Sequence, residues 1–170
     1  MLSNIVSANN IWTYTVHGNK VKVQEELNKG VSIEAKDRGG TPLWYAASYA
    51  GTRKEDMVKF IVSKGGDLDA TYDGAQVDGG LGINSSEGGS GLTILHHFTT
   101  KQNNYNIFKL LLDLGADPLV VDSLGNTPLF YCNETRYAHA LLSKGATLDH
   151  PNNRNTTPLL YHIQKRRFKV

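Results

Sequence analysis

A single cysteine, Cys132, stands among the 170 residues. One thiol excludes an internal disulfide framework and a cysteine-built zinc ribbon, and it suits a reducing compartment. No apolar run approaches the roughly 20 residues that span a bilayer. Met1 to Val16 lacks the basic-then-apolar order of a secretory leader. The expectation is a cytoplasmic chain without membrane contact. An excess of one charge is missing too: 18 Lys and Arg face 16 Asp and Glu, a net +2. That field is too weak to grip nucleic acid as a whole. Apolar residues at 39% and charged residues at 20% suffice for a folded core. Proline is sparse, at five, whereas glycine is plentiful at 17 and crowded between Gly74 and Gly91.

Three of the prolines sit in one repeated phrase. Thr41-Pro42-Leu43-Trp44, Thr127-Pro128-Leu129-Phe130 and Thr157-Pro158-Leu159-Leu160 share it, and Thr93-Ile94-Leu95-His96 keeps all but the proline. Threonine caps a helix and proline at the next position supplies a preset φ, so each phrase is expected to start a helix. Glycine stops follow at Gly65, Gly115 and Gly145, with Gly30 before them all. Stop-to-start distances are 11, 28, 12 and 12, so about 16 residues are inserted after Gly65. Three, four, seven and eight residues before the last three stops lie Val62, Ile61, Val58, Met57, then Leu112, Leu111, Phe108, Ile107, then Leu142, Leu141, Ala138, Tyr137. Those offsets are one helical face. Before Gly30 they hold Leu27, Glu26, Val23 and Lys22, half of them charged, as a terminal unit wet on one side would be.

The Thr-Pro-Leu starts, Gly115-Ala116-Asp117 and the segment Asp122 to Leu129 resemble the ankyrin repeat, a β-turn finger followed by two antiparallel helices over about 33 residues. The resemblance implies an all-α solenoid in a single domain over 1–170. Its repeats would fall at about 4–36, 37–70, 87–121 and 122–152, with a half repeat at 153–170 and a glycine-rich finger at about 72–90. The first start falls on Asn9, and the family glycine nine residues later is Gly18. Departures are several. The family histidine occurs only as His96, and the small Ala-Ala pair only as Ala46-Ala47. Start-to-stop distances run 24, 22 and 18 instead of 21. The final unit has one helix, ending in Lys165-Arg166-Arg167, which reads as a solvated cap or a truncation.

The insertion completes neither G-x-G-x-x-G nor a phosphate loop, and its charges, Asp73, Asp78 and Glu87, repel phosphate. It reads as an extended finger, or one that orders against a partner. No histidine pair has metal-ligand spacing, and adjacent His96 and His97 diverge by about 100° on a helix. Hence no cofactor or metal is expected. His96 reads as a hydrogen-bonder to its threonine. Cys132 and His162 occupy equivalent slots but lack a third, orienting group. G-x-S-x-G is missing and no carboxylates are placed together, so an enzyme is disfavoured.

What remains is a surface. Positions four, seven and eight after each start share one side of the first helix: Tyr45, Ser48, Tyr49; His97, Thr100, Lys101; Tyr131, Glu134, Thr135; Tyr161, Gln164, Lys165, and in the first unit Thr13, Val16, His17. The family resemblance implies a concave groove there that binds protein, with finger tips adding Arg38, Leu124, Asn126 and Arg154. Tyrosine suits such a surface, being rigid and apolar with a polar tip. The resulting expectation is a protein-binding module, monomeric when free, that inhibits or neutralises its partner in the manner of a toxin immunity protein. The alternatives are a secreted microbial effector or adaptor that binds a host protein and, in another class, an enzyme or small-ligand binder using the glycine-rich loop over His96 and His97.

Overall fold

Short helices in pairs, each pair ended by a glycine and preceded by a β-turn finger, build the chain. The computed structural model describes residues 10–37, 40–72, 91–100 and 104–167. They fall in two units, Met1–Ala70 and Thr71–Val170. The first contains α1 (Asn10–Val16), α2 (Lys20–Asn28), α3 (Pro42–Tyr49) and α4 (Lys54–Ser63). The second contains α5 (Ile94–Thr100), α6 (Tyr105–Asp113), a 3-10 turn (Pro128–Tyr131), α7 (Thr135–Ser143) and α8 (Pro158–Arg167). Strand-like pairing among the described residues is limited to the bridges Asp37–Gly40 and Tyr72–Leu92. The fold is all-α.

Local rules account for the helix ends. Thr41 is extended and its hydroxyl accepts the Trp44 N–H at 3.4 Å, with Pro42 opening α3. Thr157 does the same for Leu160 at 3.2 Å. At the other ends the stop glycines take left-handed φ, 89° at Gly65 and 106° at Gly115. The chain then turns back so that Gly66, Ala116 and Ala146 N–H groups bond the carbonyls of Ile61, Leu111 and Leu141, each at 3.0 Å.

The expected inner faces are inside. Met57, Val58 and Ile61 are fully buried in the first unit, where Ala46 and Ala47, also without exposure, let α3 approach its neighbours closely. Phe108, Leu111 and Leu141 are fully buried in the second. Phe108 meets Tyr137 edge-on at 4.9 Å. Burying each such side chain stabilises by about 1.5–3 kcal/mol.

Two expectations fail. Its charge predicts a wet position for Glu26, yet it is 2% exposed. Its Oε1 accepts Lys29 Nζ at 2.8 Å, a charge-assisted bond from the residue that caps the end of its helix. The Thr127 phrase was expected to start an α-helix, and it gives one 3-10 turn followed by extended Cys132 (φ −65°, ψ 117°). The 18-residue start-to-stop distance thus shortens the first helix of that unit rather than the turn after it. The start at Asn9, the finger residues Asp73, Asp78 and Glu87, and Arg38 and Lys101 lie outside the described residues. The neck of the insertion is described: Tyr72 N–H donates to Leu92 O at 2.7 Å, and both side chains are buried.

Candidate functional site

The finger tips decide the geometry of the second unit. Asp122 and Asn152 hold equivalent places, five residues before Thr127 and Thr157. In the first finger Asp122 N–H donates to Asn126 O at 3.0 Å and Gly125 N–H to Asp122 O at 2.9 Å. In the second, Asn152 N–H donates to Thr156 O at 2.9 Å and Asn155 N–H to Asn152 O at 2.8 Å. The finger of the first unit, Asp37 to Gly40, closes one residue sooner, which is why Gly30 precedes its threonine by 11 residues and not 12.

Gly125 (φ 75°) and Asn155 (φ 55°) occupy the same left-handed slot. Glycine is required at the first because a Cβ there would stand 2.6 Å from Asn153 Oδ1 and 2.8 Å from Asn153 N. Asparagine tolerates the second, where no later finger stands against it among the described residues.

The two tips are zipped together. Asn153 N–H donates to Leu124 O at 3.0 Å, Asn153 Nδ2 to Ser123 O at 3.1 Å, and Asn152 Nδ2 to Asn126 Oδ1 at 2.8 Å. Beneath them Asp122 Oδ1 accepts the N–H groups of Leu124 and Asn126, each at 2.9 Å. Asp122 Oδ2 accepts the Tyr131 hydroxyl and, at 3.5 Å, Asn126 Nδ2. His96 ties this network to α5. Its Nδ1 accepts the Thr93 N–H at 3.1 Å, so its Nε2 carries the proton and donates to Asn126 O at 3.0 Å. Burial lowers its pKa below the ordinary 6.5, keeping the ring neutral.

Each tyrosine four places into a first helix has its own relation to the finger before it. Tyr45 donates to Asp37 O at 3.2 Å and Tyr131 to the Asp122 carboxylate. Tyr161 makes no such bond among the described residues. Its ring packs on Phe130 at 5.7 Å, and Lys165 Nζ lies 4.9 Å from the ring centre. A pocket of about 280 Å³ opens here, with Phe130, Tyr131 and Tyr161 as its aromatic lining and Leu124, Arg154 and Gln164 around them. Arg154 is exposed and has no ion-pair partner among the described residues.

Several expected surface residues are elsewhere. Asn126, Tyr131 and His97 are 6%, 9% and 4% exposed. Asn126 and Tyr131 face the inter-finger network, where both bond the Asp122 carboxylate. His97 turns onto Phe98 at 5.1 Å in a segment, Leu92 to Thr99, that is buried throughout. Glu134 starts α7 and pairs with Arg136 at 2.8 Å instead of following Tyr131 along a helix. Tyr45 is half-buried and Tyr49 exposed in the first unit, their rings 5.8 Å apart. Leu124, Arg154 and Tyr161 converge on the pocket, with Lys165 at its edge. Asn152, Asn153 and Thr156 also line it. The signal for them was the paired asparagines falling on the slots of Asp122 and Ser123.

No nucleophile is assembled from Cys132 and His162. Cys132 Sγ–H points to Pro128 O at 3.7 Å, His162 Nε2 donates to Leu129 O at 3.0 Å, and burial pushes the thiol up to about 12. Among the described residues no helix is long and apolar enough to cross a membrane, and no cluster of three metal-ligating side chains occurs.

The ankyrin repeat profile matches residues 38–73 and 90–123, spans that cover the helix pairs α3–α4 and α5–α6. Ankyrin repeats are general protein–protein interaction modules. With the threonine starts, glycine stops and paired fingers in place, the chain carries ankyrin repeats at residues 38–73 and 90–123.

Proposed function

We propose that this chain binds a protein partner reversibly and without catalysis, through the finger tips and the first-helix side chains beside them. The observation that carries the reading is the pocket of the second unit. There Tyr161 and Arg154 keep their polar ends uncommitted among the described residues, while the corresponding Tyr131 is locked to Asp122. Uncommitted Tyr and Arg over an apolar floor are what interface hot spots are made of. Leu124, Gln164 and Lys165 extend the surface around it. In the first unit Tyr49, at 50% exposure beside Tyr45, offers a second aromatic contact. Of the twelve partner-facing positions expected from the sequence, this proposal keeps Tyr45, Tyr49, Leu124, Arg154, Tyr161 and Lys165, and it adds Gln164.

Binding would act by covering part of the partner, so we take inhibition or neutralisation as its consequence, a toxin-immunity role being one form. The same surface serves an adaptor or effector. The 1–170 chain is proposed as one repeat array working as a monomer in a reducing, cytoplasmic setting, a reading supported by the common register of its starts and stops. The insertion, with Asp73, Asp78 and Glu87, remains a proposed further contact.

A photo-crosslinking amino acid placed at Leu124 or Gln164, in cells that make the protein, tests this. Crosslinks to a discrete protein from both sites, and none from exposed Lys109 on α6, are expected. Equal yields from Lys109, or no crosslinks from the pocket positions, would overturn the proposal.

A further inference from the structure

We infer that the pocket between the last finger and α8 selects an acidic peptide segment carrying an aromatic side chain. This rests on the protein-binding reading above and adds the chemistry of the bound segment.

Size comes first. About 280 Å³ lies at the floor of the range for small-molecule sites, roughly 300–1,000 Å³. It accommodates a side chain better than a whole ligand. The aromatic surface offered is the half-buried Tyr161 ring, fixed by buried Phe130 5.7 Å away and tilted by 56°, and a further ring can meet Tyr161 edge-to-face.

Charge comes second. Among the described lining residues the only ionic group is Arg154. Lys165 adds a second cation over Tyr161. Asp122, the nearest carboxylate in the network, is covered by Tyr131 and Asn126 and is itself only 5% exposed. At the equivalent place of the last finger stands Asn152, a neutral amide. Its Oδ1 caps the turn by accepting the Arg154 and Thr156 N–H groups, each at 3.0 Å, and its Nδ2 donates across to Asn126. An aspartate could cap the turn but could not donate across the fingers, and it would place a negative charge at the pocket. The asparagine that zips the fingers thereby leaves the mouth to Arg154, whose planar fork suits carboxylates. Nucleic acid is disfavoured, because two cations at one pocket are too few phosphate contacts for useful affinity.

Fluorescence anisotropy of labelled peptides with the full chain decides. The probes are acetyl-Asp-Glu-Phe-Glu-Asp-amide, its uncharged form acetyl-Asn-Gln-Phe-Gln-Asn-amide, its Phe-to-Ala form, and a dT oligonucleotide of ten nucleotides. The acidic Phe peptide is expected to bind at least about tenfold tighter than any other, a difference of about 1.4 kcal/mol. R154Q should remove most of its advantage over the uncharged peptide, and Y161A most of its advantage over the Ala form. Arg154 is exposed, so R154Q should melt with the parent; Tyr161 is half-buried against Phe130, so Y161A should melt lower and is compared at a temperature where its circular dichroism matches the parent's.

Equal affinity for the charged and uncharged peptides, insensitivity to R154Q, absence of binding, or tighter binding of the oligonucleotide would each overturn the inference. If the pocket crosslinks persist while charge has no effect, this inference fails alone. If the crosslinks are absent as well, the protein-binding reading fails with it.

Discussion

Replacing Asp122 by alanine should destabilise the second unit far more than a turn aspartate ordinarily would. The carboxylate accepts four hydrogen bonds, two from backbone N–H groups, one from the Tyr131 hydroxyl and one long bond from Asn126 Nδ2. Leu124 is half-exposed, so water can replace the bond to its N–H. Asn126 Nδ2 keeps the Tyr131 oxygen at 3.0 Å, but the buried Asn126 backbone N–H and Tyr131 hydroxyl lose the acceptor they have here. A buried donor without a partner costs about 1–3 kcal/mol. Two of them give an expected loss of about 3–4 kcal/mol in D122A, allowing for some relaxation. D122N should lose less, about 1–2 kcal/mol, because one oxygen still caps the turn. Urea unfolding followed by circular dichroism measures both. A double-mutant cycle with Y131F isolates the hydroxyl–carboxylate pair, with an expected coupling of about 1–2 kcal/mol. A D122A loss below about 0.5 kcal/mol, the range of ordinary surface changes, would show a solvated acid and refute the buried network.

G125A should cost more than about 2 kcal/mol, since it combines left-handed strain with a clash against the Asn153 backbone; N155G at the equivalent tip should change stability by less than about 1 kcal/mol. The same urea experiment reads both. Because burial lowers the His96 pKa, the unfolded chain takes up that proton first. Its contribution is therefore whole above pH 6.5 and declines as pH falls below it. H96Q should flatten the fall in stability between pH 7 and pH 5, and an unchanged slope would contradict a neutral, buried His96. Cys132, with its thiol pushed up to about 12 and 8% exposed, should react with a disulfide reagent at pH 8 more than about a hundredfold slower folded than in urea. Equal rates would show an accessible thiolate.

Much of the fold was legible because its rules are local. Thr41-Pro42 is a helix start wherever it occurs, and Gly65 or Gly115 is a stop because few other residues adopt its φ. The buried faces of α4 and α6 follow from 3.6-residue periodicity alone. The site was less legible because its contacts join residues 26 to 31 apart, from Asn126–Asn152 to Phe130–Tyr161. Nothing near Asn152 in the chain says that its amide reaches Asn126. Tyr131 shares the motif position of Tyr161, and the two part company at the finger before them: Asp122 accepts the Tyr131 hydroxyl, whereas the Asn152 side chain is spent on its own turn and on Asn126. The 18-residue spacing signalled a shortened unit but not which side of the helix–helix turn absorbed the loss. Glu26 shows the converse. Its charge marked it as wet, yet it is buried, with a lysine three residues on paired to it.

The pocket and the reading built on it stand on the pairing of the last two fingers. A nuclear Overhauser effect between the Gly125 α-hydrogens and the Asn153 amide hydrogen tests that pairing directly. A strong cross-peak is expected, because the glycine is pressed against that amide. A well-assigned spectrum without it, with the Asn153 amide exchanging as fast as a free one, would contradict the account.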